Sequence, residues 1–363
     1  MDASSDLIAQ DRDAFIGKLF DAALGAFDIF AIYIGDRLGF YRELARNGGV
    51  TPAQLAERTG THPRYAREWL EQQATSCILE VTRHQDGEIQ YSLSPGRAEV
   101  LTDRDSLNYL APLAQLIAGS VSPLEALLDA YRSGGGVPFS NYGANLREGQ
   151  ANINRPMFLK QLGQEWLPAI PDLHARLQTN PPARVADIGC GAGWSSIGIA
   201  QSYPNIQVDG YDLDEASVEL ARRNVHAAGL DDRIHVHLRD ASDPELRGRY
   251  DLVMACECLH DMSNPVGALQ AMRTLAGERG AVIIVDERAL DDFTPCAEFL
   301  ERYLYGFSIL HCLPAGMAEH PSVGTGTVMR PGTLKHYAQL AGYREVEVLP
   351  IDHFFFYLYR LWP

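Results

Sequence analysis

The chain has 363 residues, of which 46% are hydrophobic and 21% charged, enough for two globular domains of ordinary size. Lys and Arg total 31 against 47 Asp and Glu, so the formal net charge is −16 and the surface as a whole repels phosphate backbones. This composition argues against a disordered or fibrous chain and against nonspecific nucleic-acid binding.

The chain start, the apolar runs and the cysteines all indicate a cytoplasmic protein. Acidic residues such as Asp6, Asp11 and Asp13 occupy the region where a secretion signal would need a basic start and a long apolar run. The most apolar stretch, residues 354–359, is too short to span a bilayer as a helix. The six cysteines contain no C-x-x-C pair, which favours reduced thiols. We expect no membrane association.

Residues 11–46 are predicted to be helical. Apolar side chains recur there at helical spacing, as in Phe15, Leu19 and Phe27. One or two amphipathic helices follow from this pattern, and they serve either core packing or a dimer surface.

A winged helix is predicted next. Thr51 is suited to cap a helix that has Pro52 at its first position and Gly60 at its end. A second helix follows, and then two short strands at residues 78–81 and 88–93. We assign residues 1–104 to a helical and winged-helix domain.

The charge of this winged helix argues against DNA recognition. Residues 50–100 contain five basic side chains and seven acidic ones. Two of the acidic residues, Glu68 and Glu71, lie on the second helix itself. A helix that enters the major groove normally lies in a basic stripe. Packing or dimerisation is favoured, and nucleic acid is not an expected partner.

Residues 105–180 are predicted to form a helical connector. A glycine-rich loop at residues 133–143 interrupts it. Such a loop serves either as a substrate lid or as an ordinary surface loop.

A glycine-rich turn follows a buried strand that begins at Arg184. Gly189, Gly191 and Gly193 have the spacing G-x-G-x-G, which differs from the dinucleotide pattern G-x-G-x-x-G. Residues without a Cβ allow backbone N–H groups and a helix N-terminus to approach a ligand.

Acidic residues end the strands that follow this turn. Asp212 ends the second strand, where a carboxylate can accept hydrogen bonds from ribose hydroxyls. Asp240 and Ala241 end the third, a position suited to an adenine amino group. Strands alternating with helices, with ligand groups at strand ends, predict a doubly wound α/β sheet.

The run Val-Ala-Asp-Ile-Gly-Cys-Gly-Ala-Gly, with Asp212 and Asp240 downstream, resembles class I S-adenosylmethionine-dependent methyltransferases. The resemblance implies a seven-stranded Rossmann-like sheet over residues 181–363, with residues 344–349 and 354–361 as a closing hairpin. It also implies S-adenosyl-L-methionine as cofactor and S-adenosyl-L-homocysteine as product. The implied cofactor-binding residues are Asp187, Gly189, Gly191, Gly193, Asp212, Leu213, Asp240, Ala241 and Cys256.

The segment Leu259-His260-Asp261-Met262-Ser263 resembles the Leu-His-Asp-Trp-Ser segment of small-molecule O-methyltransferases of the caffeate type. By this resemblance His260, at the mouth of the expected pocket, is the candidate general base. Asp261 or Glu257 could orient it, and Asp286 or Glu287 resembles the acid that supports the base in that family. An imidazole suits this role because its pKa lies close to operating pH. Those enzymes also carry an N-terminal winged-helix dimerisation domain, so we expect a homodimer. Their second supporting acid, in a Glu-Arg-Thr segment, has no counterpart here.

An aromatic helical insert, about residues 291–330, is expected to build the acceptor pocket. Candidate substrate residues are Glu257, Tyr303, Phe307 and His311.

The expected function is transfer of a methyl group to a hydroxyl of a small-molecule acceptor. One alternative is a winged-helix transcriptional regulator that binds S-adenosylmethionine. A second alternative is an N-methyltransferase or an arsenic methyltransferase with the same fold. Arsenic is considered because four cysteines offer soft ligands: Cys256, Cys258, Cys296 and Cys312. Buried structural thiols explain these cysteines more simply. No set of histidines and carboxylates has clear metal-ligand spacing, so no bound metal is expected.

Overall fold

The structure, a computed structural model, describes residues 3–243, 245 and 247–363. It divides into two compact units, Met1–Ala118 and Gly119–Pro363. The boundary falls beyond the predicted end of the winged-helix domain at residue 104. Most of the predicted connector, residues 105–180, therefore belongs to the same unit as the predicted sheet.

The first unit contains the predicted winged helix. Thr51 Oγ1 accepts a hydrogen bond from the Gln54 backbone N–H, and the Gln54 side chain accepts one from the Thr51 N–H, so the predicted cap is a full capping box. The two strands of the wing pair antiparallel. The elements are α1 (Ala3–Arg37), α2 (Phe40–Asn47), α3 (Pro52–Thr59), α4 (Pro63–Thr75), β1 (Glu80–Arg83), β2 (Ile89–Ser92), α5 (Pro95–Thr102) and α6 (Ala111–Ser120), which crosses the unit boundary.

Helix α1 leaves large apolar side chains uncovered along its length. Its last turns pack on α4, where the Trp69 indole N–H donates to the Ala31 carbonyl. The apolar side chains of its earlier turns are not buried by the described part of this chain. More than half of the side-chain surface is exposed for Leu7, Ile8, Phe15, Leu19, Phe20, Leu24 and Phe27.

The second unit is the predicted doubly wound sheet. Its seven strands have the order β5-β4-β3-β6-β7-β9-β8, with β9 antiparallel to both neighbours and the other central pairs parallel. The strands are β3 (Arg184–Ile188), β4 (Gln207–Asp212), β5 (Ile234–Leu238), β6 (Leu252–Cys256), β7 (Ala281–Glu287), β8 (Glu345–Val348) and β9 (Phe356–Trp362). The predicted fold class and closing hairpin are confirmed.

Helices cover the sheet and precede it. Two π-helical segments, Phe158–Trp166 and Ser308–Cys312, continue helices of this unit. The α-helices are α7 (Leu124–Ser133), α8 (Gly143–Met157), α9 (Pro171–Leu177), α10 (Trp194–Ser202), α11 (Glu215–Ala227), α12 (Pro265–Ala276), α13 (Phe299–Phe307), α14 (Leu313–Gly316) and α15 (Pro331–Leu340).

Two apolar layers form because the central strands are covered on both faces. In β7, Val285 belongs to the same buried apolar layer as residues of α10 and α11, whereas Ile284 belongs to the layer that contains residues of α12 and α15. Strand order reverses between β3 and β6, so the carboxyl ends of these two strands border a topological switch point, where ligands bind in open α/β sheets.

Among the described residues, no single helix is both long and apolar enough to cross a bilayer. The bent pair of α6 and α7 reaches that length and composition only when the two helices are taken together.

Candidate functional site

A cavity of about 610 Å³ lies at this switch point in the second unit. Its walls come from the glycine turn, the carboxyl ends of β4 and β6, helix α8 and residues 315–319. It is large enough for a ligand of drug-like size.

The glycine turn adopts the backbone conformation that the sequence predicts. The φ angles of Gly189, Gly191 and Gly193 are 66°, 52° and 79°, a left-handed region that side chains strain. A Cβ on Gly189 would lie 2.6 Å from Cys258 Sγ, whereas one on Gly191 would meet nothing within 4 Å. Gly189 and Gly191 line the cavity, and Gly193 begins α10 beside Ala221.

Asp187 lies beneath this turn and does not line the cavity. Its Oδ2 accepts hydrogen bonds of 2.6 Å from the hydroxyls of both Ser195 and Ser196. Burial raises the pKa of Asp187 to about 6, although the two hydroxyls oppose the shift. The carboxylate therefore joins β3 to the first turn of α10, and the structure shows no exposed surface for direct contact with a ligand.

Asp212 lies at the edge of the cavity and also braces the turn. Its Oδ2 accepts a 2.8 Å hydrogen bond from the Gly191 N–H, and its Oδ1 accepts one of 2.9 Å from the Asp214 N–H. Burial raises its pKa, opposed by these backbone donors. Leu213, Asp240, Ala241 and Cys256 line the same cavity. The structure thus gathers the predicted cofactor residues around one cavity, with Asp187 and Gly193 behind its wall.

Helix α8 supplies a wall that the sequence analysis missed. Arg147 donates to Asp214 over 2.7 Å and 3.3 Å, and both side chains are largely buried. The lining residues recur at helical spacing, which is the signal that would have revealed them inside the predicted connector. They are Arg147, Gln150, Ala151 and Asn154 on α8, and Phe158 at the start of the π-helical segment that continues it.

Glu257, directly after β6, is one of the residues that line the cavity. Its φ angle is 53°, and its N–H donates to the Val285 carbonyl over 2.8 Å. Asn154 Nδ2 donates to Oε2 over 3.0 Å, while Oε1 is buried without a hydrogen-bond partner among the described residues. Burial raises the pKa of Glu257 to about 7, although Asn154 and His260 act to lower it.

His260 is packed behind the cavity wall, in a group that we call the His260 cluster: His260, Asp261, Asp286 and Glu287. Nδ1 lies 2.9 Å from Asp286 Oδ1 and 3.0 Å from Glu287 Oε2, and Nε2 lies 3.3 Å from Asp261 Oδ1. Burial alone would lower the pKa of His260, but the three carboxylates raise it well above its usual value. His260 is 2% exposed and does not line the cavity, although Asp261 does. The role of His260 as the base therefore stays a prediction.

The predicted substrate residues of the insert also lie away from this cavity. The Tyr303 ring packs 4.9 Å from that of Phe307 and 5.7 Å from that of Phe355, and the His311 ring packs edge-on 4.8 Å from that of Tyr142. These aromatic side chains gain more from packing on one another than from facing a solvated cavity. The insert reaches the cavity instead through Ala315, Ala318 and Glu319.

The glycine-rich loop packs on this insert. The Val137 N–H donates to the Pro314 carbonyl over 2.9 Å, and a Cβ on Gly136 would lie 2.2 Å from the Ala318 nitrogen. The residues after it, Pro138, Phe139 and Ser140, line the cavity. The segment predicted to be a lid or a surface loop is therefore part of the cavity wall.

The cysteines do not form one ligand set in the described part of the chain. Cys296 is exposed, whereas burial raises the pKa of the Cys256, Cys258 and Cys312 thiols and so disfavours thiolates. Cys312 lies near His260 and Asp261: its Sγ, a His260 ring nitrogen and an Asp261 carboxylate oxygen are all within 4.8 Å of one another. Spacing along the sequence could not reveal this group, because Cys312 comes from the distant insert.

Two segments of the chain match known families. Residues 180–312 match the family described as methyltransferase domain. The chain contains a methyltransferase domain. Residues 26–103 match the Rv2258c-like winged HTH domain, which confirms the predicted winged helix ahead of the methyltransferase domain.

Among curated proteins, a part of this chain is similar to part of a tRNA1(Val) (adenine(37)-N6)-methyltransferase of Yersinia pestis (strain Pestoides F). The two are 43% identical over 72 residues, which are 20% of this chain and 26% of the relative. The chain thus spans about a quarter of the length of the curated relatives that it matches.

Solved structures resemble nearly the whole chain. The mitomycin 7-O-methyltransferase MmcR has a TM-score of 0.69 at 19% identity, covering 97% of this chain and 99% of its own. Human N-acetylserotonin methyltransferase, solved in complex with SAM, has a TM-score of 0.69 at 18% identity, covering 99% and 98%. The methyltransferase domain therefore has the class I fold of S-adenosylmethionine-dependent O-methyltransferases.

Proposed function

We propose that this protein transfers a methyl group from S-adenosylmethionine to a hydroxyl of a small-molecule acceptor. The observation that carries the proposal is the cavity at the β3–β6 switch point, where an open glycine turn and the Asp212 carboxylate face the same space. The match of residues 180–312 to a methyltransferase domain supports the same chemistry.

The residues around the glycine turn fit an adenosyl group. A Cβ on Gly191 would meet only open space, so the backbone there can be approached closely. Asp212 is suited to accept hydrogen bonds from ribose hydroxyls, and Asp240 with Ala241 lines the part of the wall predicted for adenine. When bound, S-adenosylmethionine supplies a methyl group on a positively charged sulfur.

Carboxylates elsewhere on the cavity wall suit an acceptor whose hydroxyl still carries its proton. A hydroxyl is a poor nucleophile while it keeps its proton, so a group that accepts protons assists the transfer. Glu257 and Asp261 are among the carboxylate residues that line the cavity. We propose that His260 supplies the positive charge that keeps Asp261, Asp286 and Glu287 in place.

Charge pairing on α4 gives no support to the alternative of DNA-binding regulation. Arg64 pairs with Glu68, and Arg67 pairs with Glu71 over 2.8 Å, all on exposed side chains. Each pair neutralises a cation that a phosphate backbone would otherwise attract. A gel-shift assay at physiological salt tests this view, and specific retardation of DNA would contradict it.

We also propose a homodimer, because an uncovered apolar helix is typical of an interface. The exposed side chains of α1, including Phe20 and Phe27, support this proposal. Sedimentation of the full chain should show a dimer, and Phe20→Lys with Phe27→Lys should shift it to the monomer. A wild-type monomer would contradict the proposal.

Binding of the cofactor is the first test of the proposed function. In calorimetry we expect the full chain to bind S-adenosylmethionine and S-adenosylhomocysteine. Asp212→Asn should weaken binding roughly 10- to 100-fold, because hydrogen bonds to a charged acceptor contribute about 1.5–3 kcal/mol. Asp209→Asn is the matched control, since Asp209 lies on the same strand but binds His237, Tyr250 and Arg184 outside the cavity. Absence of heat with both ligands in the wild type would refute the proposal.

A further inference from the structure

We propose that the methyl acceptor carries a positive charge in addition to its hydroxyl, as a phenolic amine does. This inference rests on the proposed function and names the charge class of its substrate. Two observations support it. The charges on the cavity wall are unbalanced, and one lining residue has a buried carboxylate oxygen without a hydrogen-bond donor among the described residues.

The cavity wall contains more acidic than basic side chains. Among the described residues its basic side chains are Arg147 and Arg239, and each is already paired. Arg147 Nε lies 2.7 Å from Asp214 Oδ2. Arg239 Nε lies 2.7 Å from Asp243 Oδ2. The other acidic residues of the wall are Asp212, Glu215, Asp240, Glu257, Asp261 and Glu319. A ligand in this cavity therefore experiences a negative potential, which the low dielectric of the walls concentrates.

The insert and the segment after β6 supply carboxylates that no basic side chain neutralises fully. Glu319, on the part of the insert that reaches the cavity, is exposed and has no ion pair within the described residues. Behind Asp261, the single ring of His260 lies against three carboxylates. A protonated imidazole thus leaves the His260 cluster negative, even when Glu287 holds a proton as its raised pKa favours. This end of the cavity attracts a cation and repels a carboxylate.

The second observation is independent of this charge count. Asn154 Nδ2 donates to Glu257 Oε2 over 3.0 Å, but Glu257 Oε1 is buried and has no partner in the part of the chain that the structure describes. An unpaired buried carboxylate oxygen is unfavourable, and burial raises the pKa of Glu257 to about 7. A cation in the cavity offsets this cost through space, and no direct contact with Oε1 is required.

The charge of S-adenosylmethionine does not account for all these carboxylates. Its sulfonium, ammonium and carboxylate groups give the cofactor a single net positive charge. Asp212 and Asp240 already lie at the end predicted for its adenosyl group. Asp261 and Glu319 lie on segments that the sequence predicts for the acceptor, so their charge remains available to it.

An ammonium group also directs the methyl group to oxygen. A protonated amine has no lone pair and cannot attack the methyl carbon. The hydroxyl gives its proton to the general base, predicted to be His260, and its oxygen bonds to the methyl carbon. The carbon–sulfur bond breaks with its electron pair going to sulfur. The products are a methyl ether that keeps its ammonium group and a neutral thioether.

Three phenols that differ only at the end of a two-carbon side chain test the charge class. The side chain ends in an ammonium in tyramine, in hydrogen in para-ethylphenol and in a carboxylate in phloretate. Their ring suits the aromatic side chains of Phe139, Phe158 and Trp194 on the wall. With the full chain, kcat/KM should fall in that order, by about 10- to 100-fold from tyramine to phloretate. High salt should reduce this ratio, because it screens exposed charges. Equal values, or the reverse order, would overturn the inference.

Thermal unfolding provides a readout that needs no turnover. For the full chain loaded with S-adenosylhomocysteine, tyramine should raise the melting temperature most and phloretate least, because a ligand stabilises the folded state according to its affinity. If tyramine gives no stabilisation, or phloretate gives as much, the acceptor site does not select a cation and the inference fails.

A matched pair of variants locates the charge. Glu319→Gln should lower the tyramine-to-phloretate ratio of kcat/KM about two- to fivefold, the size expected for one exposed carboxylate. Glu298→Gln removes an exposed carboxylate of the same insert that does not line the cavity, and it should keep the ratio. An unchanged ratio in Glu319→Gln together with weaker binding of S-adenosylmethionine would assign the carboxylate to the cofactor and contradict the inference. Calorimetry with S-adenosylmethionine alone uses none of these phenols, so the proposed function is judged separately.

Discussion

The two ends of the cavity are both acidic, but their carboxylates are bonded differently. At the glycine turn, Asp187 accepts from two serine hydroxyls and Asp212 accepts from two backbone N–H groups. At the other end, Glu257 Oε1 and Asp286 Oδ2 are buried without a hydrogen-bond partner among the described residues. Asp261 Oδ1 and Glu287 Oε2 lie against the His260 ring nitrogens, at 3.3 Å and 3.0 Å. Satisfied carboxylates fix the shape of a site, whereas unsatisfied ones keep the capacity to take a proton or a ligand.

The largest effect on the unfolding free energy should come from removing the positive charge of His260. His260→Gln leaves three carboxylates without their shared positive charge, and loss of one partner of a buried pair costs about 3–5 kcal/mol. Chemical denaturation near pH 6 should show a loss of this size. Because the pKa of His260 is raised in the folded state, its contribution is complete below the unfolded value of 6.5 and is lost as the pH rises through the folded value.

The control for this variant is the other buried histidine. Burial lowers the pKa of His311, which disfavours its charged form, whereas the pKa of His260 is raised. His311→Gln should therefore lower the unfolding free energy less than His260→Gln does. The loss for His311→Gln should not become smaller as the pH rises. Equal losses for the two variants would mean that packing, not charge, explains the role of His260.

An intermediate effect is expected at the glycine turn. Gly189→Ala and Gly191→Ala both place a side chain in the left-handed region, which costs about 1–2 kcal/mol. Only at Gly189 does the new Cβ also collide with Cys258, and overpacking adds about 1–3 kcal/mol. Unfolding free energies should separate the two variants by that amount. If they are equally stable, the close approach of Cys258 does not hold the turn.

The smallest effect is expected from the hydroxyls that hold Asp187. Ser195→Ala or Ser196→Ala should each cost about 1 kcal/mol of unfolding free energy. The double variant should cost more than the sum, because it leaves the buried carboxylate without either hydroxyl donor and raises its pKa above about 6. Strict additivity in a double-mutant cycle would show that the two bonds are independent.

The glycine-turn end could be predicted from sequence because its determinants are local. Strand β3, the three glycines and the helix after them are consecutive, and Asp212 ends the next strand. Hydrophobic runs and positive-φ glycines carry enough information for such a segment. The closing hairpin of β8 and β9, by contrast, was predicted from the family resemblance and not from a local pattern.

The other end depends on tertiary contacts that no local pattern contains. His260 follows its strand at the expected distance, yet carboxylates from β7 enclose it. The aromatic side chains of the insert predicted a ligand surface, but Tyr303 packs on Phe307 and Phe355. The positive φ of Glu257 has no sequence signature, because glycine is the residue that usually marks such a conformation.

Helix α8 touches both ends of the cavity with one rigid segment. Arg147 holds Asp214, which caps α11 beside the glycine turn, and Asn154 holds Glu257. Seven residues separate the two contacts, which is about two turns or 10 Å of helix. Because both side chains belong to one helix, any displacement of α8 along its axis would change the Asp214 and Glu257 attachments together. The two ends of the cavity are thus joined through α8 as well as through the sheet.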